Sequence, residues 1–174
     1  NRFAINLKSD LYLDGVSSIG LKNNSGTIKN GYITTHPDLV SKGEFKAVYA
    51  CDFYYDENNK AVWPKMAINF TSKTQYLYKI NKGILDETDQ TEVNKKYKTK
   101  RIPFRNMIYI GDGLTDIPCM TMLKKEGGKS IGIYAPNEKK RVQQFLIDDR
   151  INYICPANYR ENSYLDRTVK LIIK

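Results

Sequence analysis

A glycine-rich turn at residues 111–116 carries two carboxylates, Asp112 and Asp116, four residues apart. The apolar run before Asp112 predicts a buried strand, and the residues from Thr115 onward predict the start of a helix. Ligands of open α/β sheets bind where the strands end, so both side chains are expected to face one crevice. Mg²⁺ prefers oxygen ligands and is held by one or two carboxylates together with substrate phosphate. The spacing therefore predicts a magnesium site.

Two glycines flank the first carboxylate. Gly111 and Gly113 are expected to let the backbone turn tightly and bring Asp112 close to a ligand, which makes Gly113 a candidate substrate-binding position. The alternative is a structural turn in which Thr115 or Asp116 caps the next helix. An EF-hand calcium loop fits poorly, because Leu114 stands where an oxygen ligand is required.

A lysine upstream could supply positive charge to the same chemistry. Ser72 and Gln75 have the spacing of a capping box, which predicts that Lys73 is the first residue of a helix closed by Gly83. An ammonium group there can meet phosphate oxygens near the helix N-terminus. The alternative for Lys73 is a solvated surface lysine.

The elements that position these residues follow an α/β pattern. From about residue 46 onward short apolar runs alternate with helix-period segments, which is typical of a parallel sheet with crossover helices. The expected strands lie at 47–51, 61–63, 107–110, 130–134 and 151–155. The pattern favours a Rossmann-like three-layer α/β/α sandwich with a mostly parallel sheet over residues 46–174. Residues 1–45 instead predict a segment rich in β-hairpins, with Asn/Gly/Ser turns between short β-type runs.

The composition is that of a globular protein, with 41% hydrophobic and 27% charged residues in 174. The absence of a long apolar run and of a leader predicts a cytoplasmic protein with no membrane association. The net charge of +9 suits an acidic ligand. Basic clusters at 95–101 and 138–141 predict solvated surface, with nucleic-acid binding as the alternative. Cys51, Cys119 and Cys155 have apolar neighbours and are expected to be reduced core thiols.

Six segments carry a resemblance that spacing alone does not give. They are residues 45–57, 61–64, 69–75, 80–83, 102–120 and 131–134, and the string at 102–120 is the most specific. These segments resemble the C-terminal part of the phosphoserine-phosphatase-like hydrolases, a bacterial branch of the haloacid dehalogenase superfamily. The resemblance covers about residues 45–174.

The resemblance implies a magnesium-dependent phosphatase that acts on a phosphorylated small molecule. It implies that Lys73 binds the phosphate and that Asp112, with Asp116, holds Mg²⁺. Phosphoryl transfer depends on such neutralisation of charge and on positioning. The family's attacking aspartate, in an Asp-x-Asp motif, is not identified in this sequence.

Two weaker matches lie near the start of the chain. Residues 11–16 have the shape of the Asp-x-Asp motif, with Asp14 in the second place but Tyr12 in the place of the nucleophile, and the alternative is a hairpin turn. Ser17 and Ser18 are similar to the family's phosphate-binding hydroxyl motif, and the alternative is a pair of turn serines.

The sequence is compatible with two functions. One is a magnesium-dependent phosphomonoester phosphatase whose nucleophile-bearing half is absent from this chain or is supplied by another polypeptide. The other is a catalytically inactive module that binds Mg²⁺, phosphate or a protein or nucleic-acid partner. A parallel sheet that lacks its first strand has an open edge beside the strand of Asp112. We expect residues 1–45, or a partner chain such as a second copy, to cover that edge.

Overall fold

The computed structural model describes residues 12–14, 47–49, 52–84 and 91–174 of the chain. The chain forms two compact units, Asn1–Lys73 and Thr74–Lys174. Most of the hairpin-rich segment predicted for residues 1–45, together with Ser17 and Ser18, lies outside the described residues, so these predictions remain untested.

The described residues of the first unit form two pairs of strands. Strand β1 (Tyr12–Asp14) pairs in parallel with β2 (Ala47–Tyr49), so these two strands are not joined by a tight hairpin turn. Strand β3 (Asp52–Tyr55) pairs antiparallel with β4 (Ala61–Met66). The sheet predicted after residue 46 is mostly parallel, and this antiparallel hairpin is a part of the chain that departs from that pattern.

The hairpin forms because its connection is short and carries its own hydrogen bonds. The Asp56 carboxylate accepts bonds from the backbone N–H groups of Asn58 and Lys60, at 2.9 and 2.8 Å. Asn59 takes a left-handed backbone conformation, with φ of 58°, which asparagine tolerates better than most residues. A parallel crossover needs a dozen or so residues, and this connection is far too short for one.

Helix α1 (Phe70–Lys82) begins earlier than the sequence predicts. Asn69 is the cap: its side-chain oxygen accepts bonds from the N–H groups of Thr71 and Ser72, and the Ser72 hydroxyl accepts one from the N–H of Asn69. The predicted Ser72–Gln75 capping box is therefore wrong, and Lys73 is the fourth residue of the helix. The predicted stop at Gly83 is confirmed by its φ of 80°.

The second unit is built on a three-stranded parallel sheet. Strands β5 (Ile108–Gly111), β6 (Lys129–Tyr134) and β7 (Tyr153–Pro156) lie in that order, with Gly111 beside Gly132 and Tyr134 beside Pro156. Helices α2 (Ile117–Lys125), α3 (Lys139–Ile147) and α4 (Tyr164–Ile173) follow β5, β6 and β7. Over the described ranges the chain is thus mixed α/β, with four helices and a parallel sheet.

Helices pack on both faces of this sheet. One face holds a buried cluster of Ile131, Ile133, Cys155, Leu165 and Val169, which joins β6 and β7 to α4. On the other face a Cβ at Gly132 would lie 2.6 Å from the Cγ1 of Val142, so α3 packs closely over this glycine. Val142 and Phe145 of α3 are buried, whereas Leu146 is 38% exposed.

Strands β5 and β7 are the two edges of the second unit's sheet. Beyond β6, no strand of the described segments pairs with β5. What covers its outer edge therefore stays a prediction. Of the helices in the described segments, none has the length and apolar character needed to cross a bilayer.

Two of the three cysteines are buried free thiols, as the sequence predicts. Cys119 and Cys155 are fully buried, whereas Cys51 lies outside the described residues. Burial raises the pKa of the Cys155 thiol above its ordinary value, and this outweighs the opposite effect of its hydrogen bond to Thr168. Cys155 is therefore a packed core residue that stays protonated.

We expect Cys155 to react with iodoacetamide much more slowly in the folded protein than in the unfolded chain at pH 8. Each unit by which a thiol pKa rises lowers its thiolate fraction about tenfold, and burial also blocks the reagent. Mass spectrometry of peptides labelled with and without urea measures the two rates. Equal rates in both states would contradict a packed thiol.

Candidate functional site

Asp116 is buried and holds the turn after β5 together. It is 5% exposed, and Oδ1 accepts a hydrogen bond of 2.8 Å from the hydroxyl of Tyr109. Oδ2 accepts one of 3.1 Å from the N–H of Gly113. The Asp116 side chain makes no capping bond to the helix that follows it, so its structural role is to hold the turn and not the capping that the sequence offered as the alternative. Its role as a Mg²⁺ ligand stays a prediction.

The two glycines of the turn serve different purposes. A Cβ at Gly111 would lie 2.8 Å from the Cβ and Cγ of Asp116, so only glycine leaves room for this carboxylate. Gly113 has extended backbone angles, φ −124° and ψ 168°, which any residue adopts. The expectation that Gly113 is needed for a tight turn is therefore wrong. Its place as a substrate contact stays a prediction.

Asp112 is the exposed carboxylate of the site. Its side chain has no hydrogen-bond or ion-pair partner within the described parts of the chain. Its backbone carbonyl accepts a hydrogen bond of 3.1 Å from Nη2 of Arg141, on α3. The same nitrogen lies 3.2 Å from Oε2 of Glu138. The main chain at Asp112 is thus tied to α3, while its carboxylate stays available.

Tyr159, in the loop after β7, lies close enough to Asp112 for its negative charge to act on the phenol. Its ring packs against the buried cluster on the α4 side of the sheet. Burial raises the pKa of the Tyr159 phenol, and the negative charge of Asp112 raises it further. The phenol therefore keeps its proton at neutral pH and remains a hydrogen-bond donor at the carboxyl edge of the sheet.

The structure brings Asp112, Gly113 and Asp116 together in one turn. Lys73 is 8% exposed and belongs to the first unit, so its approach to the carboxylates stays a prediction. No group of three or more histidine, cysteine, aspartate or glutamate side chains that could hold a metal occurs in the described ranges. A Mg²⁺ ion here would take its other ligands from substrate and water, which is common for this ion.

Sequence reasoning missed three residues around the turn. Tyr109 was assigned only to a strand, and Arg141 only to a solvated basic cluster. Tyr159 gave no signal, because nothing in its local sequence marks the loop after β7 as close to Asp112. The contacts of Arg141 and Tyr159 depend on which strands are neighbours in the sheet.

Comparison with known proteins gives a relative whose name states no function. A curated protein of Borreliella burgdorferi, whose name is "Uncharacterized protein", is 28% identical over 174 residues. The match covers 95% of this chain and 58% of that protein, so the chain spans little more than half the length of its relative. No family model matches the chain, and no solved structure matches it.

Proposed function

We propose that this chain is part of a haloacid-dehalogenase-like hydrolase, a magnesium-dependent phosphatase of small phosphomonoesters. The observation that carries the proposal is the pairing of two unlike carboxylates at the end of β5. Asp116 is buried and hydrogen-bonded, and Asp112 is exposed, with its side chain unpaired within the described residues. Exposed carboxylate oxygen at a strand's carboxyl end is the usual setting for Mg²⁺ and phosphate in α/β proteins.

The resemblance at residues 102–120 supports the same function, because it includes the whole turn. In the proposal Asp112 and Asp116 hold Mg²⁺, while Lys73 and Gly113 bind the phosphate. Magnesium, when bound, supplies neutralisation of the charge on the transferred phosphoryl group. The fold would be the Rossmann-like three-layer sandwich of that superfamily, and the protein would be cytoplasmic.

The attacking aspartate remains the open part of the proposal. Asp14 ends strand β1, but Tyr12 stands in the place that the nucleophile would take. We propose that a segment outside the identified motifs supplies this aspartate, and that residues 1–45 or a partner chain also cover the outer edge of β5. Without the nucleophile the chain would bind magnesium and phosphate as an inactive module.

We expect Asp112→Asn to lower the affinity for Mg²⁺ about tenfold or more, since it removes a charged ligand worth more than 1 kcal/mol. Isothermal titration with MgCl₂ measures this. Asp148→Asn is the matched control, because Asp148 is an exposed carboxylate at the end of α3 that pairs with Arg150 and Gln144. Its affinity for Mg²⁺ should equal that of the wild type.

Hydrolysis of p-nitrophenyl phosphate by the same variants separates the two functions. Magnesium-dependent turnover that is lost in Asp112→Asn supports the phosphatase, whereas binding without turnover supports the inactive module. Salt-dependent binding of nucleic acid that is indifferent to Asp112 would contradict both and favour a basic scaffold.

A further inference from the structure

Arg141 contacts the main chain of Asp112 and the side chain of Glu138. Nη2 donates to the backbone oxygen of Asp112 at 3.1 Å and lies 3.2 Å from Oε2 of Glu138, three residues earlier. Both long side chains are 44% exposed, so the guanidinium group reaches solvent at the carboxyl edge of the sheet. Both contacts are made by Nη2, so they hold this end of the guanidinium group near Asp112.

Most donors of this guanidinium group have no partner among the described residues. A guanidinium group carries five N–H donors in a planar fork. Only Nη2 has a partner among the described residues, which leaves the donors on Nε and Nη1 open. The planar fork of arginine binds the oxygens of phosphate or carboxylate in pairs, and it is less strongly hydrated than an ammonium group.

We propose that Arg141 is a ligand-binding residue of the Asp112 site and that its open N–H groups bind oxygens of the phosphoryl group. This inference rests on the proposed function, in which Asp112 would help to hold Mg²⁺ and a phosphate, and Arg141 contacts the main chain of that residue. The exposed negative charge of Asp112 repels a phosphate dianion. The Arg141 cation offsets part of that repulsion, and Glu138 neutralises part of the arginine's charge. Glu138 orients the guanidinium group.

A purely positioning role for Arg141 makes a different prediction. If Arg141 only held the main chain of Asp112, its loss would weaken the binding of Mg²⁺ alone. If it binds phosphate, its loss weakens phosphate binding and leaves the binding of Mg²⁺ alone unchanged.

The test is titration of the chain with inorganic phosphate at saturating MgCl₂, and separately with MgCl₂ alone. We expect Arg141→Gln to lower phosphate affinity about tenfold or more, the usual effect of losing a hydrogen bond to a charged group. Arg141→Lys keeps the charge without the fork and should lose less. Arg150→Gln is the matched control, because Arg150 is a surface arginine that pairs with Asp148 at 3.9 Å. It should bind phosphate as the wild type does.

Each of the other outcomes overturns the inference about Arg141, the proposed function, or both. Unchanged phosphate affinity in Arg141→Gln overturns the inference. The proposed function still stands in that case if Asp112→Asn loses Mg²⁺ binding. Weaker binding of MgCl₂ alone in Arg141→Gln reduces Arg141 to a positioning residue. An equal loss of phosphate affinity in Arg150→Gln shows only general attraction by positive charge. Absence of magnesium-dependent phosphate binding by the wild type overturns the inference and the proposed function together.

Discussion

Replacing Asp116 with alanine is expected to lower the free energy of unfolding by about 2–4 kcal/mol. The Asp116 carboxylate accepts hydrogen bonds from Tyr109 and from the N–H of Gly113, and both the aspartate and the tyrosine are buried. Leaving a buried donor without an acceptor costs about 1–3 kcal/mol for each group. Urea unfolding followed by circular dichroism measures the change.

Asp116→Asn separates the hydrogen bonds from the charge. An asparagine side chain has one acceptor oxygen, so its amide nitrogen must face either the Tyr109 hydroxyl or the Gly113 N–H, and a smaller loss of about 1–3 kcal/mol follows. A double-mutant cycle of Asp116→Ala with Tyr109→Phe should show coupling, because the two side chains share one bond.

Asp148→Ala is the stability control for Asp116→Ala. Asp148 is an exposed aspartate whose loss should change stability by no more than about 0.5 kcal/mol. A urea midpoint for Asp116→Ala equal to that of the wild type would contradict the structural role of this carboxylate.

Helix ends were predictable where local chemistry alone decides them. Gly83 and Gly127 follow α1 and α2 with φ of 80° and 86°, and a side chain at such a position is strained whatever surrounds it. Ser163 caps α4 through a bond from the N–H of Asp166. In each case the deciding interaction lies within a few residues of the chain.

The start of α1 was not predictable from local chemistry. Asn69 and Ser72 are comparably good caps three residues apart, and the structure uses both in one reciprocal motif. The sequence therefore allows two starting points for α1. A cap at Ser72 would make Lys73 the first residue of the helix, whereas it is the fourth. The consequence for function is modest, since Lys73 stays within the first turns of the helix.

The residues of the candidate site were predictable from the sequence. Which carboxylate is buried and structural, and which is exposed, was not. The strand before Asp112 is apolar throughout, so its sequence does not show which face Tyr109 takes. The burial of Asp116 depends on which face of the strand Tyr109 takes. Arg141 lies 29 residues beyond Asp112, and their contact requires α3 to pack against the sheet. Such contacts depend on tertiary structure, which local periodicity does not encode.

Replacing Gly111 with alanine is expected to damage both the fold and the site. The new Cβ would lie 2.8 Å from the Cβ and Cγ of Asp116 and 2.9 Å from its Oδ2, and all three distances are shorter than any ordinary contact. The carboxylate must move, which breaks its bonds to Tyr109 and Gly113. We expect a loss of about 1–3 kcal/mol in the free energy of unfolding, the usual cost of overpacking.

Gly113→Ala is the matched control, two residues away in the same turn. A Cβ there has its nearest neighbour at 3.7 Å, and the extended backbone suits alanine. Urea unfolding should therefore give the wild-type midpoint for Gly113→Ala and a lower one for Gly111→Ala. If Asp116 also helps to hold Mg²⁺, Gly111→Ala lowers the affinity for MgCl₂ in titrations below the unfolding midpoint, whereas Gly113→Ala leaves it unchanged. Equal stability of the two variants would contradict the close approach of Asp116 to Gly111, and with it the rigid turn that presents Asp112.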